Sequence, residues 1–149
     1  MQVRHLARKE PVSVGPGTAV REVARVMDER VVGAVVVVEG GRPIGIVTDR
    51  DLVVRLLARG LPDDVRVDSV MTADPVVVDA DASPARAVHL FERHAVRRLP
   101  LVDAGQLVGL LAVDDLLVNT VADLTAVVRP ITGEVIFGHP EPRTALAEQ

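Results

Sequence analysis

Hydrophobic residues in this chain recur at the spacing of an α-helix in two separate stretches. The i, i+3, i+4 and i+7 positions are Val20, Val23, Ala24 and Met27 in the first stretch and Pro84, Ala87, Val88 and Phe91 in the second. Such a stripe predicts a helix with one face in the core. Thr18 precedes the first stretch and Ser83-Pro84 opens the second, and both are good helix-start signals. The pattern therefore predicts two amphipathic helices.

Four continuous apolar runs, arranged in two pairs, predict strands. They cover residues 34–38 and 43–47 in the first pair and 99–102 and 107–111 in the second. Each pair is joined by a short turn, "EGGR" or "DAGQ", whose glycines supply the positive φ that hairpins need. An extended segment after proline precedes each helix, and a further helix is predicted at about 49–59 and at about 114–128. The resulting order, β-α-β-β-α twice, indicates an α+β fold.

The two halves of the chain are related by a shift of 64 positions, which superposes residues 1–58 on 65–122 without a gap. The most informative identities are Pro11/Pro75, Gly41/Gly105, Gly45/Gly109, Asp51/Asp115 and Leu52/Leu116. Two copies are too few for a solenoid, so we expect them to close on each other as a pseudo-two-fold module. The predicted organisation is a first repeat over 1–64, a second over 65–128 and an extension over 129–149. That extension holds one strand-like run, "EVIF" at 134–137, and then a surface tail.

The composition narrows the classes of function. The chain has 149 residues, with 17 basic and 21 acidic side chains, two phenylalanines and no tyrosine, tryptophan or cysteine. A mildly acidic chain with almost no aromatic rings lacks the charge and the stacking surfaces of a nucleic-acid binder. Without cysteine it can form no disulfide and no thiolate metal site. The N-terminus lacks an apolar signal core and the longest apolar run, 31–38, is too short to span a bilayer, so we expect a cytoplasmic protein without a membrane segment.

The most distinctive chemistry lies where the second strand of each pair ends. Thr48 is followed three residues later by Asp51, the spacing of a capping box, which explains both residues without a ligand. In the second repeat Ala112 replaces the threonine, yet Asp115 remains. An acid retained without its hydroxyl partner favours contact with a ligand, although Asp114 could take over as a cap. Both interpretations stay open on the residues alone.

Other candidate centres carry weaker signals. The histidines His5, His89, His94 and His139 have no metal-binding spacing, and the acidic pairs 63–64 and 114–115 fit linker and cap positions better than a cation site. The motifs GxSxG, GxxxxGKS/T and GxGxxG do not occur. The cluster Arg93, Arg97 and Arg98 fits a solvated helix end and a phosphate contact equally well. We therefore expect no metal, no catalytic residues and no enzymatic activity.

The doubled pattern resembles a known module. The β-α-β-β-α repeat, the Gly-apolar-apolar-Thr-x-x-Asp segment at 45–51 and the "VRRLPLV" strand entry at 96–102 look like the cystathionine-β-synthase (CBS) domain pair, or Bateman module. The resemblance covers roughly residues 1–122. It implies a pseudo-symmetric disc that binds an adenosine-containing small molecule, such as AMP, ADP, ATP or S-adenosylmethionine, and that commonly pairs into a homodimer.

The resemblance also implies roles for particular residues. Asp51 and Asp115 would hold ribose hydroxyls, and Thr48 would touch ribose or the first phosphate. Arg97 and Arg98 match a basic pair that faces phosphate. The adenine would lie against the segments near Ser13-Val14 and Gly33-Ala34-Val35.

Departures from the family pattern predict that the two clefts differ. Ala112 weakens the second cleft, and Gly33-Ala34 replaces the arginine pair in the first repeat. We expect one competent site and a regulatory module that signals to an unidentified partner protein. The alternatives are a ligand-free homodimerisation or protein-interaction module and, with less support, a small enzyme.

Overall fold

The computed structural model describes the backbone of residues 1–137 and the side chains of residues 1–126 and 128. The first half contains β1 (Arg8–Lys9), β2 (Ser13–Val14), α1 (Val20–Arg30), β3 (Ala34–Glu39), β4 (Arg42–Thr48) and α2 (Asp49–Asp51), which continues as a π-helical turn over Leu52–Leu57. The second half contains β5 (Thr72–Ala73), β6 (Val78–Asp79), α3 (Pro84–His94), β7 (Arg98–Asp103), β8 (Gln106–Ala112) and α4 (Val113–Phe137). Short 3-10 helices, Val3–His5 and Val67–Ser69, precede β1 and β5. The predicted order is confirmed, as β2-α1-β3-β4-α2 and β6-α3-β7-β8-α4.

The strands form two four-stranded sheets, in the orders β2-β3-β4-β5 and β1-β8-β7-β6. In each sheet an antiparallel hairpin is flanked by one parallel strand from its own repeat and one antiparallel strand from the other repeat. The two copies thus exchange edge strands: β1 pairs with β8, and β5 pairs with β4. The limits 1–64 and 65–128 describe the sequence repeat and stay predictions as domain boundaries.

The hairpin turns follow the backbone that the glycines predict. Gly40 and Gly41 have φ of 58° and 78°, and Ala104 and Gly105 have φ of 48° and 78°. Positive φ at both central residues is the conformation whose twist matches that of paired strands. The prediction for these turns is confirmed, and Ala104 shows that a small non-glycine residue is tolerated at the first central position.

Each half has its own apolar core, in which residues from both of its helical segments pack on one sheet. The first core contains Val20, Val23 and Met27 from α1 together with β3 and β4, and the second contains Ala87, Leu90 and Phe91 from α3 together with β7 and β8. The exchange of edge strands extends to these cores, because Val3 packs in the second and Val67 in the first. This interlocking of the copies was not predicted.

The predicted helix faces need one correction. Ala24 and Val88, which occupy equivalent positions in α1 and α3, are exposed, whereas Val26 and Leu90 pack toward the cores. Apolar spacing along a sequence gives the width of a stripe but not its rotation relative to the sheet. The buried face is therefore turned toward residues 26 and 90.

The two helix starts differ. Ser83 caps α3 as predicted, its hydroxyl accepting a hydrogen bond from the Arg86 N–H at 3.2 Å, with Pro84 in the first turn. Thr18 does not cap α1, which begins at Val20 after Ala19. The backbone carbonyl of Thr18 instead accepts from the Val67 N–H at 2.8 Å, so this segment stays extended to hold the second repeat.

The last helix is longer than predicted and absorbs the run expected as a strand. Residues 134–137 form the end of α4. A four-residue apolar run cannot be told from a helical segment by its periodicity, and extending an existing helix adds one hydrogen bond per residue without a new nucleation cost. The tail predicted at 138–149 lies outside the described residues. Within residues 1–137, no helix is at once long and apolar enough to cross a bilayer.

The structure divides into two compact units. Residues 1–116 form the first and contain both sheets, while α4 beyond Leu116 belongs to the second. All of the candidate site residues lie in the first unit.

Candidate functional site

The corner between β4 and α2 contains the predicted capping box. The Asp51 N–H donates to Thr48 Oγ1 at 3.2 Å, and the Thr48 N–H donates to Asp51 Oδ2 at 2.9 Å. These reciprocal bonds satisfy two backbone N–H groups that the helix start would leave unpaired. The structural role of both residues is therefore confirmed.

The corner between β8 and α4 retains half of this arrangement. The Ala112 N–H donates to Asp115 Oδ2 at 2.9 Å, as Thr48 does to Asp51. Because Ala112 has no hydroxyl, the return bond is missing. Both repeats thus have an aspartate at the same position, and one of its carboxylate oxygens accepts a hydrogen bond from the backbone N–H three residues earlier.

These two corners offer a matched test of capping. Thr48→Ala is expected to lower the free energy of unfolding by about 1 kcal/mol, the usual cost of losing an N-cap side chain. Ala112→Thr adds a hydroxyl at the equivalent position and is expected to raise it by up to about 1 kcal/mol. Urea denaturation of both variants measures the two changes. An unchanged unfolding free energy in Thr48→Ala would contradict the stabilising role of the box.

A cleft of about 320 Å³, called here the Asp51 cleft, opens beside the first corner. It is lined by Ile46, Thr48, Asp49, Arg50, Asp51, Thr72, Val96, Arg97 and Arg98. The corner comes from the first repeat, whereas the arginine pair comes from the entry to β7 in the second. The structure therefore brings Thr48, Asp51, Arg97 and Arg98 together on one cavity.

A second cleft, called here the Asp115 cleft, has about 250 Å³. Its lining includes Leu110, Ala112 and Asp115 from the second repeat and Val32, Gly33 and Ala34 from the first. A shift of 64 positions maps these six residues onto six that line the Asp51 cleft. The two cavities are pseudo-symmetric, but the second has Ala112 in place of the threonine and Arg8 where the first has Thr72.

Arg98 lines both clefts. A Cβ atom added at Gly33 would lie 3.7 Å from Arg98 Nη2 and 3.3 Å from Asp49 Oδ2. The contact with Asp49 would be tight and the contact with Arg98 ordinary, so the bare backbone of Gly33 mainly leaves room for the Asp49 carboxylate beside the guanidinium. One guanidinium thus lines both clefts, and Arg8 is a further cation of the Asp115 cleft.

The structure separates the remaining predicted residues from the Asp51 cleft. Gly33 and Ala34 line the Asp115 cleft, while Val35 is fully buried in the first core. Ser13 and Val14 form β2 beside β3. In the part of the chain that the structure describes, they line neither of the two clefts. Of the residues expected to contact an adenine, only Gly33 and Ala34 therefore line one of the two clefts, and that cleft is the one beside Asp115.

Several lining residues were missed from the sequence. Ile46 and Leu110 lie two residues before positions 48 and 112, so strand alternation places them on the same face and could have identified them. Thr72 and Arg8 reach the clefts because β5 and β1 cross to the other sheet. No periodicity within one repeat signals such an exchange.

The Asp51 cleft carries more basic than acidic side chains. Arg50, Arg97 and Arg98 face Asp49 and Asp51. Arg97 also lies 3.5 Å from Asp114, but both side chains are 73% exposed, so this pair contributes little and does not neutralise the arginine. The side chain of Asp51 is only 19% exposed and its Oδ1 lies 3.7 Å from Arg55 Nε, beyond hydrogen-bond distance. The arrangement suits a polar ligand that offers hydroxyls to Asp51 and negative charge to the arginines.

Within the described residues, no group of three or more histidine, aspartate or glutamate side chains is placed to hold a metal ion. His139 lies outside those residues.

Comparison with known proteins gives the same family for both halves. The model of the CBS domain matches residues 3–58 and 67–120. The CBS domain-containing protein YhcV of Bacillus subtilis is 36% identical over 124 residues, which cover 83% of this chain and 89% of that protein. Hypoxic response protein 1 of Mycobacterium tuberculosis is 32% identical over 69% of this chain and 73% of its own.

Comparison with solved structures gives the same family. A putative signal-transduction protein with CBS domains from Burkholderia ambifaria superposes with a TM-score of 0.74 at 29% identity, covering 83% of this chain and 96% of that one. A CBS domain protein from Pyrobaculum aerophilum, solved in complex with AMP, superposes with a TM-score of 0.71 at 28% identity, covering 78% and 90%. With matches over both repeats in sequence and in fold, the chain belongs to the CBS domain family and carries a tandem pair of these domains.

Proposed function

We propose that this CBS pair is a non-catalytic regulatory module that binds one phosphorylated adenosine ligand in the Asp51 cleft and signals its presence to a partner protein. The observation that carries the proposal is the meeting of Thr48, Asp51, Arg97 and Arg98, from two different repeats, on one cavity. The AMP-bound relative of the same fold supports the ligand class.

Asp51 is suited to a ribose. Its carboxylate has about four acceptor positions, and the backbone cap occupies one of them. The remaining positions can accept from the two neighbouring ribose hydroxyls. Hydrogen bonds to a charged group contribute roughly 1.5–3 kcal/mol each, so this pair would supply much of the affinity.

Arg98 and Arg97 are suited to the phosphate. A guanidinium presents a planar fork of N–H donors that matches phosphate oxygens in geometry as well as charge. Thr48 adds a hydroxyl to the lining of the same cavity. We infer that the base lies against the half-buried side chains of Ile46 and Val96, in place of the segments 13–14 and 33–35 expected from the sequence.

The volumes of the two clefts favour one bound ligand over two. Small-molecule sites usually measure about 300–1,000 Å³. The Asp51 cleft, at about 320 Å³, falls within this range, and the Asp115 cleft, at about 250 Å³, falls below it. Because Arg98 lines both, a phosphate bound in the first cleft also withdraws one of the two arginines, Arg8 and Arg98, that line the second.

A thermal-shift series tests the proposal. AMP, ADP, ATP and S-adenosylmethionine are each added up to millimolar concentration, with 2′-deoxy-AMP as the matched control that lacks a ribose hydroxyl. A ligand present at one hundred times its Kd is expected to stabilise the native state by about 2.7 kcal/mol and to raise Tm accordingly. We expect at least one of the three nucleotides to do so, 2′-deoxy-AMP to act more weakly than AMP, and S-adenosylmethionine, which has no phosphate, to act more weakly than that nucleotide. No shift with any of the three nucleotides would overturn the proposal.

Exposed apolar side chains favour a second candidate, a homodimerisation or protein-interaction module. Val53, Val54 and Leu57 on the π-helical turn are 54%, 45% and 68% exposed, and Leu117, Val118, Val121 and Leu124 of α4 are exposed as well. Sedimentation with and without AMP separates the candidates. A concentration-dependent oligomer that no adenosine ligand changes would favour this second candidate. An oligomeric state that changes when the ligand binds would mean that the module has both functions.

A further inference from the structure

A groove of about 420 Å³, larger than either cleft, lies along β1 on the second half of the molecule. We call it the β1 groove, and its main lining residues are Arg4, His5, Ala7, Lys9, Val108 and Gly109. It contains neither Asp51 nor Asp115. Arg8 is its one residue in common with the Asp115 cleft.

The groove is open because of a single small residue. In the first half of the molecule, Met71 packs on Gly45, and its sulfur occupies the space that a Cβ would take there. The 64-residue shift places Ala7 at the position of Met71 and Gly109 at that of Gly45. The nearest neighbours of a Cβ added at Gly109 would be the Arg8 carbonyl oxygen at 3.2 Å and the Leu101 side chain at 3.5 Å, with no counterpart of the Met71 sulfur. The same pocket is thus filled in one half and left open in the other.

The rim of the open groove is basic, unlike its counterpart. Arg4, His5, Arg8 and Lys9 surround it with Glu10 as the one acid in its lining. The equivalent positions 68, 69, 72, 73 and 74 are Asp, Ser, Thr, Ala and Asp. The cations of this rim are Arg4, Arg8 and Lys9, of which Arg4 is paired with Asp81 and Asp103.

Arg4 lines the groove and is paired with two acids. Its guanidinium forms ion pairs through Nη2 with Asp81 and Asp103, which fixes the side chain. Its Nε is buried and has no hydrogen-bond partner among the described residues 1–137. A buried N–H without a partner is costly, so this part of the rim holds a polar group that the described residues leave unsatisfied.

The floor of the groove is apolar, formed by Ala7, Leu101, Val108 and Gly109, and Val108 is 41% exposed to solvent. An apolar floor beneath a cationic rim complements a molecule with an apolar body and an anionic head. We propose that the β1 groove is a second ligand site, independent of the nucleotide cleft, for a small amphipathic anion: a single alkyl or acyl chain that ends in a carboxylate or a phosphate.

Calorimetric titration of the full chain with decanoate and with decyl phosphate, below their micellar concentrations, tests this site. Saturable binding of one molecule per chain is expected for at least one of them. The control is decyl glucoside, which has the same alkyl chain without a charge. It is expected to bind at least about tenfold more weakly because it forms no charge-assisted hydrogen bond. Equal binding of the uncharged probe, or no saturable binding of either anion, would overturn the proposal.

Two sets of variants locate the binding. Ala7→Met rebuilds the filled pocket of the first half and is expected to abolish binding of the anion while leaving the AMP response unchanged. His5→Gln combined with Lys9→Gln alters only exposed residues and is expected to weaken binding about tenfold or more without an effect on folding. Met71→Ala, the reverse change in the half without a basic rim, is expected to leave binding as in the wild type.

Three results would count against the groove. They are wild-type affinity in the His5→Gln, Lys9→Gln variant, wild-type affinity in a folded Ala7→Met variant, and cosedimentation with anionic phospholipid vesicles in the absence of saturable decanoate or decyl phosphate binding. The last would assign the basic rim to a membrane surface. The absence of a thermal shift with AMP, in contrast, would not count against this site, because different ligands test the two sites.

Discussion

Replacing Asp51 with alanine is expected to weaken AMP binding by about a hundredfold or more. The carboxylate would lose two charge-assisted hydrogen bonds to the ribose, each contributing roughly 1.5–3 kcal/mol, and every 1.4 kcal/mol is about tenfold in affinity. The variant also loses the acceptor for the Thr48 N–H, which is expected to cost about 1 kcal/mol in the free energy of unfolding. Isothermal titration with AMP measures the first effect and urea denaturation the second.

Asp115→Ala is the matched control for this change. It removes the same acceptor from an equivalent corner, at the Ala112 N–H, and so carries a similar cost in stability. Its carboxylate lines the smaller cleft, so AMP affinity is expected to stay within about threefold of the wild type, a change of well under 1.4 kcal/mol. Equal losses of affinity in the two variants, or no loss in Asp51→Ala, would contradict the assignment of the ribose to Asp51.

Replacing Arg98 with alanine is expected to weaken AMP binding by about tenfold to a hundredfold, the effect of one lost charge-assisted contact to phosphate. Adenosine has no phosphate, so its affinity is expected to change little. The difference between the two ligands isolates the phosphate contribution from any general damage to the fold. Titrations with AMP and with adenosine give both values.

Arg97→Ala provides the control for Arg98. Arg97 lines the same cleft, but its side chain is 73% exposed, so solvent screens its charge and its loss is expected to reduce AMP affinity by less than about tenfold. A larger loss in Arg97→Ala than in Arg98→Ala would reverse the assigned order of the two arginines. Equal losses of AMP and adenosine in Arg98→Ala would show that the residue acts on folding instead of on phosphate.

Most of the fold could be predicted because each repeat specifies its elements locally. Gly41 and Gly105 set the hairpin turns, and the spacing of Val20, Val23 and Met27 set the helix that covers the first sheet. The crossing of β1 and β5 could not be predicted in this way. A two-residue edge strand has no period of its own, and its choice of sheet depends on contacts between segments that lie far apart in the sequence.

The errors within elements have similar causes. Thr18 has the chemistry of a cap, but a tertiary bond from the Val67 N–H holds its backbone extended. Ala24 has the spacing of a core residue, but the rotation of α1 on its sheet exposes it. In each case a contact beyond the local window decides the outcome.

The candidate site also has a part that follows from local sequence and a part that depends on contacts between the repeats. Thr48 and Asp51 are three residues apart, so their geometry follows from the start of one helix, and the capping box was predictable. That Arg97 and Arg98 face this corner, while Gly33 and Ala34 face the other, depends on how the two repeats close on each other. The sequence repeat indicates that closure but does not indicate which cleft receives the shared Arg98, and the structure places it in both.

The measurement that tests the central claim most directly is a crystal structure of the full chain grown in saturating AMP. The expected result is one AMP per chain in the Asp51 cleft, with both ribose hydroxyls within hydrogen-bond distance of the Asp51 carboxylate and the phosphate beside Arg98. An unoccupied Asp51 cleft, or an AMP held there with its ribose turned away from Asp51, would contradict the claim.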